Sequence, residues 1–330
     1  MPFFAKRRQV IKGLFAGLTA SSLWVFASEK KLDQGMNDFT LSDPETKRTI
    51  GVRVRLPAIK KQTGLILYSP GLGSGFSNGA SWCDAWQKAG FVVVTLSHPV
   101  TNDEIWNTQT KSLKVNLHEA IASPQYGLRV KDCRFVLSYC LKHSELKEYI
   151  DPNLIGIAGH SYGALTTQSI AGQQANKRDE RIKAAIAFSP GAISLDSART
   201  MSGVKIPFFC VTGDHDNYVT FKNGIDEVKL GNPLKNRKAV YENLPTGAKQ
   251  MLVLANADHM TFAGEFIDDK NFSRDIAVTK DANEQAWKRI NEMTTAFWEY
   301  YLAPVKQKNR EVLIEKTKAS ANKADEVYFG

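Results

Sequence analysis

A serine between two glycines stands near the middle of the chain, where residues 154–165 are LIGIAGHSYGAL. The apolar run at the start of this stretch predicts a buried β-strand, and the residues after the second glycine predict a helix. Ser161 would then lie on a strand-to-helix turn, with Gly159 and Gly163 leaving room for a tight backbone path. The Gly-x-Ser-x-Gly spacing also occurs in ordinary glycine-rich turns. Between a strand and a helix, however, it indicates a serine whose hydroxyl projects above a sheet edge as a nucleophile.

The segments on either side of this turn alternate between strand-like and helix-like patterns. Alternation of apolar and polar residues, or short apolar runs, predict strands within residues 39–56, 64–69, 91–96, 154–158, 182–188, 206–212 and 251–255. Amphipathic or helical spacing predicts helices at 81–89, 129–143, from 164 onward and at 287–302. Strands that alternate with helices imply right-handed crossovers. We therefore expect an α/β fold with a mostly parallel central sheet and helices on both faces.

The first 27 residues have the composition of an export signal. They carry four basic residues, including the pair Arg7 and Arg8, and no acidic residue, and an uncharged stretch at 13–26 leads to the small residue Ala27. This order is typical of a signal peptide, and the adjacent arginines resemble the bacterial twin-arginine signal, which exports folded cargo. The alternative is an uncleaved membrane anchor, although the apolar stretch is shorter than the ~20 residues of a spanning helix. We expect an exported protein, periplasmic or secreted, that contacts the membrane only through this signal.

The rest of the chain contains no repeat or low-complexity linker, so we expect one α/β domain at residues 28–304. Within it, residues 220–237 are polar and contain glycine and proline, which predicts an insertion on the surface. Residues 305–330 are charged and predict a C-terminal extension, with a helix followed by frayed residues.

Charge and cysteine content exclude several classes of function. The net charge is +9, but without the first 27 residues the chain has 39 basic and 34 acidic residues, with both signs interleaved, so we expect no nucleic-acid partner. Cys133 and Cys140 lie in one predicted helix about 10 Å apart, which is too far for a disulfide. Cys210 lies in an apolar run and is expected to be a buried free thiol. The cysteine spacing resembles no zinc site, and we expect neither metal nor cofactor.

A serine hydroxyl needs a base to take its proton, and the base needs a partner that fixes its tautomer. On a strand–turn–helix of this kind the expected chain order is serine, acid, histidine. Only two of the six histidines follow Ser161, and His259 comes directly after the last predicted strand, where it can reach the serine. Asp214 and Asp216 follow the preceding predicted strand, and both are candidates for the acid. The alternative of a metal site at Asp214, His215 and Asp216 is disfavoured because adjacent side chains point apart in extended chain.

Hydrolysis through a serine also needs donors for the tetrahedral oxyanion. The backbone N–H of Tyr162, directly after the nucleophile, is the first candidate. The second is the N–H of Leu72, in the glycine-rich turn at residues 69–75, which is SPGLGSG. A phosphate cradle is the alternative for this turn, but it lacks the Gly-Lys-Ser/Thr ending of a P-loop.

Five blocks of the chain share one order and spacing with a known family. The blocks are Ser69–Gly73, Ser97–Pro99, Gly159–Gly163, Gly213–Asp216 and Asp258–Phe262. Together they resemble the α/β-hydrolase branch that contains bacterial dienelactone-hydrolase-like proteins and platelet-activating-factor acetylhydrolases, over residues 64–302. Polyester-degrading cutinase-like enzymes share a similar turn and serine motif.

The resemblance implies the α/β-hydrolase fold and a set of site residues. It implies a triad of Ser161, Asp216 and His259, since the acid in similar enzymes stands three residues after the glycine, and Asp214 then shapes the turn. It also implies an oxyanion hole from the N–H groups of Leu72 and Tyr162. One departure is that true dienelactone hydrolases have a cysteine at the position of Ser161, so we do not expect that activity.

We expect a serine hydrolase that cleaves small carboxylic esters through an acyl-enzyme, with short or medium acyl groups or short-chain phospholipids as substrates. The same triad would also serve a peptidase, an amidase or a lipase, and the fold would also serve a binding protein without activity. Two further histidines are expected to support the site. We expect His98 to brace the loop near the site and His160 to bond a backbone group.

Overall fold

The computed structural model describes residues 31–192, 195–222, 227–267, 272–273, 276, 278–303 and 310–330. The predicted signal peptide lies outside these residues. The described strands are β1 (Met36–Asp43), β2 (Arg48–Arg55), β3 (Thr63–Ser69), β4 (Val92–Ser97), β5 (Ile150–His160), β6 (Ile182–Phe188), β7 (Phe208–His215), β8 (Tyr218–Lys222), β9 (Glu227–Gly231), β10 (Lys249–Asp258), β11 (Phe272–Ser273) and β12 (Glu326–Phe329). The α-helices are α1 (Ala80–Lys88), α2 (Leu113–Ile121), α3 (Ser123–Lys142), α4 (Tyr162–Gln168), α5 (Leu195–Ala198), α6 (Leu234–Glu242), α7 (Lys280–Tyr301) and α8 (Arg310–Ser320).

A nine-stranded sheet with the order β1-β2-β4-β3-β5-β6-β7-β10-β12 forms the centre of the protein. The neighbours from β4 to β10 pair in parallel, whereas β1, β2 and β12 join antiparallel at the two ends. This confirms the predicted α/β class with a mostly parallel sheet. Parallel strands are covered on both faces, which explains why β3 and β4 are nearly continuous apolar runs with almost every residue buried.

Aromatic side chains fill the largest part of the core. Trp82 of α1 stacks on Phe188 of β6 with ring centroids 4.4 Å apart, and Trp86 meets Trp298 of α7 edge-on at 5.7 Å. Burial of such rings is the main favourable term for folding, with additional stabilisation from their paired geometry. These contacts fix α1 and α7 relative to β6.

The C-terminal residues differ from the sequence expectation. The predicted helix is present as α8, but the residues expected to fray form β12, which pairs antiparallel with β10 from Gln250 to Val253. Without β12, β10 would present an unpaired edge, and pairing satisfies its backbone groups. The residues of β12 alternate in exposure and have charged neighbours, so the sequence did not predict this strand.

The prediction that residues 220–237 are an insertion on the surface is also wrong in part, because some of these residues are buried. Strands β8 and β9 form a hairpin and, with β11, a separate three-stranded sheet. Phe221 is buried against a small apolar cluster that includes Ile105 and Leu113, and Arg237 of α6 is only 1% exposed. The partners that bury these residues lie in distant segments, so the local polar composition concealed their burial.

The cysteines behave as the sequence indicates. All four are free thiols and buried. Burial raises the pKa of Cys83, Cys133 and Cys140 to about 12. Among the described residues, no helix combines the length and apolarity needed to cross a membrane.

Candidate active site

Ser161 lies on a strained turn between β5 and α4. Its φ is 54° and its ψ is −113°, a backbone conformation that costs a non-glycine residue about 1–3 kcal/mol. A Cβ on Gly163 would collide with the carbonyl of Ser69, and a Cβ on Gly159 would collide with the carbonyl of Gly163. Both glycines are therefore required by the close approach of α4 to β3, as the sequence predicted.

The structure brings Ser161, His259 and Asp216 together at the carboxyl edge of the sheet. Ser161 directly follows β5, His259 directly follows β10, and Asp216 directly follows β7. His259 Nε2 lies 2.9 Å from Ser161 Oγ, and His259 Nδ1 lies 2.7 Å from Asp216 Oδ1. This arrangement fixes the imidazole with Nδ1–H donating to the carboxylate, so that Nε2 is free to accept the serine proton.

Asp216 is a fully buried carboxylate with several compensating partners. Thr212 Oγ1 donates to its Oδ2 at 2.8 Å, and Arg237 Nη2 lies 3.0 Å from its Oδ1. Burial by itself would raise the pKa of Asp216, but the charge of Arg237 and the contact with His259 outweigh it and hold this pKa well below its usual value. The carboxylate is therefore ionised at neutral pH.

The second candidate acid, Asp214, points elsewhere. Its Oδ1 accepts a hydrogen bond from the backbone N–H of Ala257 at 3.3 Å and lies 2.8 Å from His215 Nδ1. Both side chains of this pair are about 40% exposed. Asp214 thus holds the backbone two residues before His259, in agreement with its expected role in shaping the turn.

His160, beside the serine, is a structural histidine. Its ring packs 4.9 Å from the ring of His259, and its Nε2–H donates to the carbonyl of His259 at 3.2 Å. Burial, followed by the nearby charge of His259, lowers the pKa of His160 well below its usual value. A neutral His160 thus satisfies a backbone group, as expected, and packs against the ring of His259.

The two expected oxyanion donors border the same cavity as the serine and the histidine. Leu72 follows β3 and Tyr162 is the first residue of α4. Within the described part of the chain, the turn and loop hydrogen bonds include none donated by either N–H group. The neighbouring Gly73 is held by its N–H to the carbonyl of Thr101 at 2.9 Å and by Trp106 Nε1–H to its carbonyl at 2.8 Å.

A buried arginine contacts both segments that carry the expected oxyanion donors, and no sequence pattern indicated this role. Arg129 of α3 donates from Nη2 to Ser69 Oγ at 3.0 Å and to the carbonyl of Pro70, and from Nη1 to Thr101 Oγ1 at 2.6 Å. Its guanidinium also lies 4.7 Å from the centre of the Tyr162 ring. Burial lowers the pKa of Arg129 to about 10, so it is still a cation at neutral pH.

His98 braces the same loop, as predicted. Its Nδ1 lies 2.9 Å from Asp132 Oδ2, and its Nε2 lies 3.0 Å from Ser69 Oγ. Burial and the charge of Arg129 lower the pKa of His98 to about 4. The neutral ring donates through Nδ1–H to Asp132 and accepts the Ser69 hydroxyl proton at Nε2, while Ser69 Oγ accepts from Arg129.

A cavity of about 630 Å³ opens beside Ser161 and His259. A volume in this range accommodates a small organic ligand. One part of the cavity wall is apolar, and residues of the three-stranded sheet form some of this part. Another part of the wall carries amide and hydroxyl groups. The apolar residues include Leu72, Leu165, Val219, Phe221 and Leu230, and the polar ones include Gln173, Thr200 and Asn232.

No protein-family model matches the chain, and no curated protein matches it. Conclusions about function therefore depend on the geometry of this chain's own residues.

Proposed function

We propose that this protein is a serine hydrolase of the α/β-hydrolase fold that cleaves carboxylic esters through an acyl-enzyme. The observation that carries the proposal is the hydrogen-bonded series Asp216–His259–Ser161, with the serine on a strained turn. Binding alone does not require a strained serine within hydrogen-bond distance of an oriented imidazole. Backbone strain of this kind persists where the surrounding structure enforces it, often for a catalytic purpose.

The proposed reaction has two steps on one site. His259 Nε2 takes the Ser161 proton as Oγ attacks the ester carbonyl, and the N–H groups of Leu72 and Tyr162 bind the oxyanion. His259 then protonates the leaving alcohol oxygen, which leaves the acyl group on Ser161. Water attacks this acyl-enzyme, with His259 as base, and the acid is released. None of these steps needs a metal or a cofactor.

The cavity supports a small ester as substrate. Its apolar wall at Leu72, Val219 and Phe221 suits a short or medium acyl chain, because burial of each methylene contributes about 0.8 kcal/mol. Ser161 lines the same cavity as these apolar residues, so one cavity offers both the nucleophile and a surface for the acyl chain.

The test is hydrolysis of p-nitrophenyl esters from acetate to octanoate by the purified protein. We expect turnover by the wild type, none by Ser161→Ala, and full turnover by the exposed control Ser202→Ala, with unchanged melting temperatures. A fluorophosphonate should label Ser161 stoichiometrically. Labelling of another serine, or equal turnover by Ser161→Ala, would contradict the proposal.

Further substrates separate the alternatives that share the triad. Matched p-nitroanilides test for an amidase or peptidase, and a short-chain phospholipid tests that substrate class. A short triglyceride tests for a lipase, since interfacial activation produces a jump in rate at the solubility limit. We expect smooth saturation, because the described residues of the segment at 220–237 form parts of β8, β9 and α6 and include no amphipathic lid helix.

A further inference from the structure

Arg237 is a fully buried guanidinium that donates to four backbone carbonyls and forms an ion pair with the carboxylate of the candidate acid. Burial of an unpaired charge is strongly unfavourable, so this pairing accounts for its position. The acceptors are the carbonyls of Asp216 (2.7 Å), Ser189 (2.8 Å), Pro190 (2.9 Å) and Asn217 (3.2 Å). The ion pair is with Asp216 Oδ1, 3.0 Å from Nη2.

This arrangement places a permanent positive charge against both the acid and the base. Arg237 Nη2 and His259 Nδ1 meet the same oxygen of Asp216, at 3.0 Å and 2.7 Å. The two nitrogens lie 3.2 Å apart. Because Nδ1–H already donates to the carboxylate, this approach is a contact between a cation and the imidazole and not a hydrogen bond.

We propose that Arg237 is a positioning residue that sets the proton affinity of the His259–Asp216 pair. The proposal rests on the proposed hydrolase function. The cation keeps Asp216 ionised while His259 is neutral, so the pair is ready to accept the serine proton. The same cation opposes the positive charge on the imidazolium, which makes the imidazolium a stronger acid toward the leaving alcohol.

The other groups around the imidazole do not duplicate this effect. In the described part of the chain, Asp216 faces the ring from β7, His160 from β5, Ser161 from the serine turn and Arg237 from α6. His160 stays neutral because burial lowers its pKa well below the usual value. Arg237 is thus the permanent cation at the ring, and its removal should raise the affinity of the pair for a proton.

The experiment is the pH profile of kcat/KM for p-nitrophenyl butyrate with three variants. Arg237→Met removes the charge, and Arg237→Lys keeps it. Arg55→Met is the matched control, because Arg55 is also a buried arginine in an ion pair, with Asp84, at the end of β2. Since Arg237→Met has the potential to impair folding, Arg237→Gln is a second neutral variant that keeps two N–H donors, and melting temperatures are recorded for all.

We expect the acidic limb of the profile to move up by roughly one pH unit or more in the neutral variants, which is about tenfold in kcat/KM measured on that limb. In Arg237→Lys and Arg55→Met the limb should stay at the wild-type position. If the acidic limb does not move in a folded neutral variant, the inference is overturned and the role of Arg237 is structural. An equal shift of the limb in Arg237→Lys would overturn the inference as well. If the wild type shows no ester hydrolysis and no Ser161 labelling, the proposed function itself fails, which is a separate outcome.

Discussion

Replacement of Asp216 by Asn removes one negative charge from the site and leaves the shape of the side chain almost unchanged. The amide oxygen can still accept from His259 Nδ1–H or from Arg237, and the amide nitrogen can donate to Thr212 Oγ1. The perturbation therefore tests the charge of the acid more than its volume. Arg237, whose carboxylate partner lies 3.0 Å away in the wild type, would keep its charge without the counter-charge.

The expected loss follows from the geometry of the pair. In the transition state the imidazole is positive, and its Nδ1 lies 2.7 Å from the carboxylate. Two charges centred about 4 Å apart attract by about 4 kcal/mol at an effective dielectric constant of about 20. With about 1.4 kcal/mol for each factor of ten, this is about a thousandfold in rate. Loss of the correct tautomer adds to this, and serine proteases lose about ten-thousandfold on the equivalent change.

The assay is steady-state hydrolysis of p-nitrophenyl butyrate by Asp216→Asn and Asp214→Asn. We expect kcat to fall by about a thousandfold to ten-thousandfold in the first variant. In the second, kcat should change little, because Asp214 bonds the backbone of Ala257 and the ring of His215, whereas Asp216 is the carboxylate at the ring of His259. Asp216→Asn should also melt at a lower temperature, because breaking a buried ion pair costs about 3–5 kcal/mol. The reverse ranking of the two variants in kcat, with both folded, would refute the assignment of the acid.

Three further predictions concern the loop supports and export. Arg129→Met should lower kcat about tenfold or more with KM little changed, and should weaken binding of a boronic acid that mimics the oxyanion; an intact boronate affinity would show that Arg129 does not position the donors. His98 has a folded pKa of about 4 against an ordinary value of 6.5, so the unfolded state takes up its proton first as the pH falls. Its contribution to stability is present above pH 6.5 and is lost between 6.5 and about 4, by up to about 3 kcal/mol in urea unfolding, and His98→Gln should flatten that slope. Arg7→Lys with Arg8→Lys should retain the precursor in the cytoplasm of a bacterial host, and unchanged export of the double variant would exclude the twin-arginine route.

Local sequence patterns were sufficient for much of this structure. The apolar runs predicted the parallel strands, because strands buried on both faces have to be apolar along their length. The glycines beside Ser161 predicted the strained turn, because only glycine fits where α4 approaches β3. His259 could be chosen from chain order together with its position directly after the last predicted strand, and the structure places it 2.9 Å from the serine.

Only the tertiary structure revealed the charges beneath the site. Arg237 lies in a polar helix and Arg129 in the first turns of α3, and nothing near either residue in the sequence separates it from a solvated arginine. Their acceptors lie 20 to 60 residues away in the chain. A buried charge is stable only when every partner is in place, so its burial is a property of the assembled fold.

The edge strand β12 and the strand pair β8–β9 were missed in the sequence for the same reason. Each is short and partly exposed, and each becomes a strand through pairing or packing with segments far along the chain. Short strands carry little intrinsic preference of their own, because what stabilises them is the neighbouring strand and the surface that they cover. The sequence by itself therefore determined the serine turn and the parallel sheet, whereas long-range contacts decided which polar segments and charges are buried around the site.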